Sequence, residues 1–531
     1  TINIITKEPT VNSVTVSNTT GLIGGKTPDV NTHLNASVVS NNNRAGVTLF
    51  ASARQRLPFD YDGDGFTEIG KINSKNIGFR GFYRTSSFTK LTVEYHTIAE
   101  FRRGGNQLDL PPHEADIAEQ TEHNIHCAGL KYDLFLKNSK HWFEIYSSLQ
   151  HINRQSYYGA GKDPNAYGNT RDLASVTGLQ YVLTMKKFLF MPATLTTGFE
   201  FNYNALHDEA LGYHRVIDQK INIYSLYLQN EWKNAKWSIL IGARLDRHNL
   251  IKKPIVSPRA NVRYSPFSWV SLRAGYASGF RAPQAFDEDL HITAVGGNVS
   301  LIQMDPDLKS EKSNSVNLSV DFNKKWHKMA LTFLIEGFYT DLNRVFVLEE
   351  KGRDQNGNLI LERTNGSGAV VAGVNFEGKI IPFKPMEIQF GFTYQQSLYK
   401  QPQKWSESVA PQKKMYRSPD TYGFLTFLYT PFTRFNISLS GIYTGSMLVQ
   451  HFAGYIPEDR EEITPSFFDL NLKLSYDIKL QENIILQVNG GIKNIVDSYQ
   501  KDYDQGEFRD AGYIYGPTLP RTVFVGVKLT I

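Results

Sequence analysis

The chain has 531 residues, 41% of them hydrophobic, and a net charge of +5 from 57 basic and 52 acidic side chains. A mean hydropathy of −0.35, with no apolar run near the ~18 residues of a spanning helix, excludes a helical membrane protein. Near-balanced charge gives no pull toward nucleic acid, and the single Cys127 rules out an internal disulfide or a cysteine metal centre.

The chain is β-like from its first residues, Thr1-Ile2-Asn3-Ile4-Ile5-Thr6-Lys7, and period-two segments then recur throughout. Met386, Ile388, Phe390, Phe392 and Tyr394 oppose Glu387, Gln389, Gly391, Thr393 and Gln395. Phe435, Ile437 and Leu439 oppose Asn436, Ser438 and Ser440, and Phe468, Leu470, Leu472 and Leu474 oppose Asp469, Asn471, Lys473 and Ser475. Alternation continues to the last residue, with Val523, Val525, Val527, Leu529 and Ile531 on one face and Thr522, Gly526, Lys528 and Thr530 on the other.

Short turns are expected near Asn41–Asn43, Ser86–Ser87, Asn138–Lys140, Lys186–Lys187, Asn234–Lys236, Ser265–Phe267, Asn323–Lys325, Phe383–Pro385, Thr430–Phe432 and Gln481–Asn483. Between them lie longer loops rich in Gly, Asp and Tyr, among them 57–73, 103–122, 153–172, 206–220 and 497–517. Ten short turns alternating with eleven longer loops require 22 strands. Such regular alternation is the signature of a closed outer-membrane barrel, because lipid satisfies no backbone hydrogen bonds and only closure removes the edges. The expected fold is therefore an all-β, 22-stranded antiparallel transmembrane barrel. Lumens of that width belong to plugged transporters.

The sharpest local motif is Asp60-Tyr61-Asp62-Gly63-Asp64-Gly65-Phe66-Thr67-Glu68. Asp60, Asp62, Asp64 and Glu68 offer the converging oxygens that Ca²⁺ takes, and Gly65 permits a tight bend. Lys71 stands where an EF-hand needs its bidentate Glu, so an acidic, solvated turn is the competing reading. Outer loops also carry Tyr157, Tyr158, Tyr167, Tyr213, Trp405, Met447, Phe452, Tyr455, Tyr513 and Tyr515. Such side chains suit a bulky, flat ligand, although a barrel-rim girdle accounts for part of the set. Arg102 and Arg103 are the one evident basic cluster, and nothing places a nucleophile beside a base, so no enzyme is expected.

The residues further resemble the TonB-dependent outer-membrane receptors. Gly242-x-Arg244-x-Asp246, Ser257-Pro258-Arg259, Ala277-Ser278-Gly279-Phe280-Arg281-Ala282-Pro283, Asp305-Pro306-Asp307-Leu308-Lys309 and Gly516-Pro517…Pro520-Arg521-Thr522 follow in that family's order. Ile531 departs from its usual terminal aromatic. The resemblance implies that residues 1–10 are the remnant of a plug domain's last strand with its linker, that 11–531 form the barrel, and that the rest of the plug is missing. It implies an outer-membrane location, coupling to TonB through the plug, outer-membrane lipid around the barrel and import of a scarce small molecule. A surface lipoprotein partner is compatible with it, and nucleic acid is not a partner.

Tyr443–Tyr455 and Arg509–Tyr515 look like the vitamin B12 subgroup, making a corrinoid the expected cargo, with Met447, Phe452, Tyr455, Tyr513 and Tyr515 as its contacts. Haem uptake is an alternative, because haem receptors place a ligand histidine where His291 stands, and His113, His123 and His126 surround one outer loop. A ferric siderophore is another, and a passive diffusion porin is the alternative outside this class. Some members bind Ca²⁺ in outer loops.

Overall fold

The computed structural model describes residues 8–136, 139–286, 290, 293–295, 298–355 and 357–531. One continuous sheet of 23 strands contains the whole wall; the short strand Gln412–Lys414 is an appendage, leaving 22 in the barrel. Every neighbouring pair in the wall is antiparallel, and the first strand, Ser13–Ile23, pairs with the last, Thr522–Thr530. That closing register runs from Thr15 opposite Thr530 to Ile23 opposite Thr522. Reciprocal backbone hydrogen bonds between Val14 and Ile531, at 2.9 and 2.8 Å, extend it to the final residue. The expected plug remnant at Thr1–Lys7 lies outside the described residues.

Pleat alternation assigns the faces. Val523, Val525 and Val527 lie outward beside Leu486 and Val488, while Thr522 and Gly526 face the lumen. Outward rings are concentrated at the short-turn end. Phe188 and Phe190 stack on Trp232, Trp237 on Tyr264 and Phe267 on Trp269, and Phe322, Phe333, Phe376 and Phe390 continue the row. This is the aromatic girdle of a membrane interface. The inner wall is polar: Arg244 donates to Glu200, Asp246 and Ser225, while Tyr146 donates to Glu200. No helix is long and apolar enough to cross a membrane among the described residues.

Two expectations about connections are corrected. Four turns fall two to four residues later than the sequence suggests, at Leu189–Phe190, Ser268–Trp269, His327–Lys328 and Thr433–Arg434. Three of them use a non-glycine residue in the left-handed region, Leu189, His327 and Arg434, which no glycine advertises in the sequence. The segments read as loops at 153–172 and 206–220 are largely strand, and the one at 103–122 is strand at both ends. Ile117–Leu136, His141–Ala160, Tyr167–Phe188, Met191–Ala210 and Arg215–Lys233 run 19 to 22 residues. About 9–11 residues suffice to span a bilayer, so this wall stands well above the membrane. Over the mouth, Thr293–Val295, Asn298–Met304, Phe346–Arg353 and Leu359–Asn365 form a separate four-stranded sheet.

An arginine at Val527, mid-strand on the outer face, should destabilise the barrel by about 2–4 kcal/mol. An arginine at lumen-facing Thr19 should cost far less. Equilibrium unfolding from lipid vesicles measures both, and equal costs would reverse the assignment of faces.

Candidate functional site at the outer mouth

The acidic loop folds on its own backbone first. Asp60 accepts N–H bonds from Gly63 at 2.7 Å and Gly65 at 2.9 Å, Asp62 from Asp64 at 3.3 Å, and Asp64 from Phe66 at 2.8 Å. Gly63 and Gly65 take φ of 79° and 90°, conformations that favour glycine. The remaining oxygens meet the last outer loop, where Gln505 donates to Asp62 at 3.0 Å and the Gly506 N–H to Asp64 at 2.9 Å. Arg509 pairs with Asp64 and, at 3.4 Å, with buried Glu68, its guanidinium lying 4.5 Å from the Phe66 ring centroid. Burial pushes the Glu68 carboxyl up, against the pull of the Tyr61 N–H and Arg509. Asp60, Asp62 and Glu68 keep ligand atoms within 4.8 Å of one another, whereas Asp64 is committed to Arg509.

The aromatic residues expected to face cargo separate into two groups. Met447, Tyr513 and Tyr515 are buried together with Val449 and Phe467 in the core that joins loops 446–465 and 497–517. His451 stacks on Tyr513 with centroids 3.6 Å apart and bonds Asp504 through Nε2 at 3.0 Å. The Tyr513 and Tyr515 hydroxyls both donate to Asp502. In this arrangement those rings brace the loops rather than offer faces to a ligand. Phe452 is half-buried, edge-on to Trp405 at 4.8 Å, and Tyr455 is 52% exposed. His291 lies outside the described residues. His113, His123 and His126 do not converge. His113 bonds the Tyr167 hydroxyl, while His126 bonds Tyr95 on the face opposite to that of His123.

Basic residues are arranged otherwise than their sequence neighbourhood suggests. Arg102 points inward to Glu100 at 2.6 Å, but Arg103 points outward, buried, donating to the carbonyls of Gly104 and Asn106. Arg54 and Arg56 join Arg102 on the inner wall, Arg54 held by Asp29 and Arg56 by the Gly70 carbonyl. Strands Ile255–Phe267 and Val270–Arg281 project Arg259, Arg263, Arg273 and Arg281 into the lumen, with Arg263 directly opposite Arg273. Asp321 answers Arg273 at 3.5 Å, while among the described residues Arg259 has no ion-pair partner and the buried Nε of Arg263 has no hydrogen bond. Inward positions between them on the second strand are Gly275, Ala277 and Gly279, which leave the guanidinium groups room. Period-two parity could have found this column, since 259, 263, 273 and 281 all fall on inward positions. Arg509 has no such signal.

The family model described as TonB dependent receptor-like, beta-barrel matches residues 40–495. The chain belongs to the TonB-dependent receptor family. Its members are outer-membrane transport receptors that work with TonB on small-molecule cargo, not enzymes, and this receptor sits in the outer membrane. No curated protein matches the chain. Among solved structures it is similar to the siderophore receptor PirA from Acinetobacter baumannii, with TM-score 0.77 and 14% identity over 99% of this chain and 81% of that one. The ferric enterobactin receptor PfeA from Pseudomonas aeruginosa gives 0.74 and 13% over 99% and 82%. The ferric-catecholate import receptor Fiu from E. coli K12 gives 0.73 and 12% over 100% and 83%. At these identities the likeness shows the fold.

Replacing Arg509 with Met should leave Glu68 and Asp64 without their cation and loosen both loops by about 3 kcal/mol. Hydrogen exchange should quicken at 57–68 and 497–517 while the wall keeps its protection. Unchanged loop protection would show the ion pairs to be incidental.

Proposed function

We propose that this receptor imports an anionic iron chelate of the ferric-siderophore class by TonB-dependent uptake. The carrying observation is the lumen-facing arginine column of Arg259, Arg263 and Arg273, in which Asp321 answers Arg273 while Arg259 has no ion-pair partner among the described residues. A chelate that carries negative charge gains from such a wall, and a nearly neutral one does not. The solved structures of similar fold, which are siderophore and ferric-catecholate receptors, support the same class. The corrinoid reading loses support with the burial of Met447, Tyr513 and Tyr515, and rests on Phe452, Tyr455 and neighbouring Trp405. The haem reading rests on His291 alone.

Binding titrations of the purified receptor with a ferric catecholate, cyanocobalamin and haemin separate the three. The ferric chelate should bind tightest, weaken with salt, and lose about 1.5–3 kcal/mol when Arg259 and Arg263 are both replaced by Ala. Salt-insensitive binding of cyanocobalamin alone, lost in Tyr455→Ala, would restore the corrinoid. Haemin binding that His291→Ala abolishes would restore haem.

We also propose that Asp60, Asp62 and Glu68 hold Ca²⁺ in the first large outer loop. Their clustered oxygens and two tight glycine bends support a hard-cation site, with Asp64 withdrawn to Arg509. Bound Ca²⁺ would neutralise three crowded carboxylates and stiffen the loop beside the closing seam. Calorimetric titration with Ca²⁺ should give heat for the native receptor and none for Asp60→Asn with Asp62→Asn. Equal heats would leave the loop as a set of turns held by Arg509.

A further inference from the structure

The connection between Val270–Arg281 and Glu311–Trp326 carries two of the four strands of the sheet over the mouth, Thr293–Val295 and Asn298–Met304. Its root, residues 282–286, is tied to the inner wall at two points. Buried Gln219 on Arg215–Lys233 accepts the Ala285 N–H on Oε1 at 2.7 Å and donates through Nε2 to the Ala285 carbonyl at 3.4 Å. Leu206, Ile217, Ala285 and Leu290 close an apolar core around this first tie. The second tie is His248, the last residue of Trp237–His248, which is 0% exposed and meets Gln284.

The two ring nitrogens of His248 have opposite duties. Nδ1 accepts the Leu250 N–H at 3.1 Å, so the proton of the neutral ring sits on Nε2, which donates to Gln284 Oε1 at 3.3 Å. A second proton has to land on Nδ1, where it meets the Leu250 N–H donor to donor. Among the described residues, no uncommitted carboxylate faces it. Asp246, the acid on the same face of the strand, accepts from Ser225 at 2.6 Å and pairs with Arg244 at 2.8 Å. Across the sheet, His248 stands opposite Ile223. Arg247 turns to the Ile251 and Lys252 carbonyls, Lys252 and Lys253 are exposed, and Arg281 stacks on Phe286 at 3.9 Å. His214, Asp218, Lys220 and Asp305 line a neighbouring open cavity with Leu250 and Pro283.

A charged imidazole without water or a free counterion is costly to keep inside the protein. Burial accordingly lowers the His248 imidazole below the ordinary histidine range, against the smaller upward pulls of Gln284 and Asp246. Since the folded ring holds a proton less tightly than a free one, the tie is at full strength above the ordinary range. It weakens as pH falls through that range toward the lowered folded value. We propose that His248 is an acid-sensitive latch at the root of the mouth sheet, holding residues 282–286 to the wall when neutral and releasing them when protonated. The tie between Gln219 and Ala285 has no titrating group, so it persists, and acid loosens the loop without casting it off.

The test is hydrogen exchange of the purified receptor in lipid, expressed as protection factors, at about pH 7.5 and about pH 5, on either side of the histidine range. Protection at 282–286 and 298–304 should fall about tenfold in acid, the effect of losing one buried hydrogen bond. Strands Ile255–Phe267 and Val270–Arg281 should keep theirs. His248→Gln, whose amide offers a donor and an acceptor but takes no proton, should show the same protection at both pH values. His248→Asn, which keeps an acceptor for Leu250, serves as the second probe should the glutamine variant misfold, with heat-modifiable migration as the folding check. Equal protection of the native root at both pH values, or an acid response that persists in a folded variant, would overturn the proposal.

Discussion

The structure depends on one constraint, that every backbone N–H and C=O inside the bilayer must find its partner within the sheet. Each unmatched group there costs several kcal/mol, so an open edge between first and last strands cannot persist in lipid. The pairing of Ser13–Ile23 with Thr522–Thr530 discharges that requirement and carries it to Ile531. Side-chain alternation then follows without choice, because a closed pleated wall has one face for lipid and one for the lumen. Polar networks such as Arg244 with Glu200, Asp246 and Ser225 are tolerated at membrane depth because closure gives them a lumen to face.

Above the membrane the constraint relaxes, and water and side chains take over. Strands on one side of the barrel continue for 19 to 22 residues, while the opposite loops fold into small sheets and aromatic cores of their own. The mouth is thus built from two materials, a tall rigid wall and packed loops. Under the proposed import, the inward arginines of Ile255–Phe267 and Val270–Arg281 are the groups that meet the cargo's charge.

The fold was legible because its rules are local. Alternation, the rhythm of short and long connections and the terminal strand each sit within a few consecutive residues, so Val523 to Ile531 alone carries the argument. Turn positions were less legible, since Leu189, His327 and Arg434 adopt a left-handed backbone without a glycine to mark it. The site was legible only in outline. Asp60, Asp62 and Glu68 were recognisable as a cluster, yet the cation that occupies Asp64 lies in the last outer loop. Tyr513 and Tyr515 looked like ligand contacts because residue type cannot tell an exposed ring from one buried against Met447 and Phe467. Arg102 and Arg103 looked like a cluster because adjacency in sequence is separation in a strand.

The ion pair between Asp64 and Arg509 spans 445 positions of sequence and bridges the closing seam above the membrane. The two loops flank the closing strands Ser13–Ile23 and Thr522–Thr530, so the ion pair needs those strands to have come together. Pairing of the first and last strands brings the guanidinium to Asp64 and Glu68. Contacts of such separation form late in any folding sequence, after loop closure has been achieved by other means. The clamp is therefore a marker of completion, and an outer mouth with its acidic loop fixed is one whose barrel has already closed.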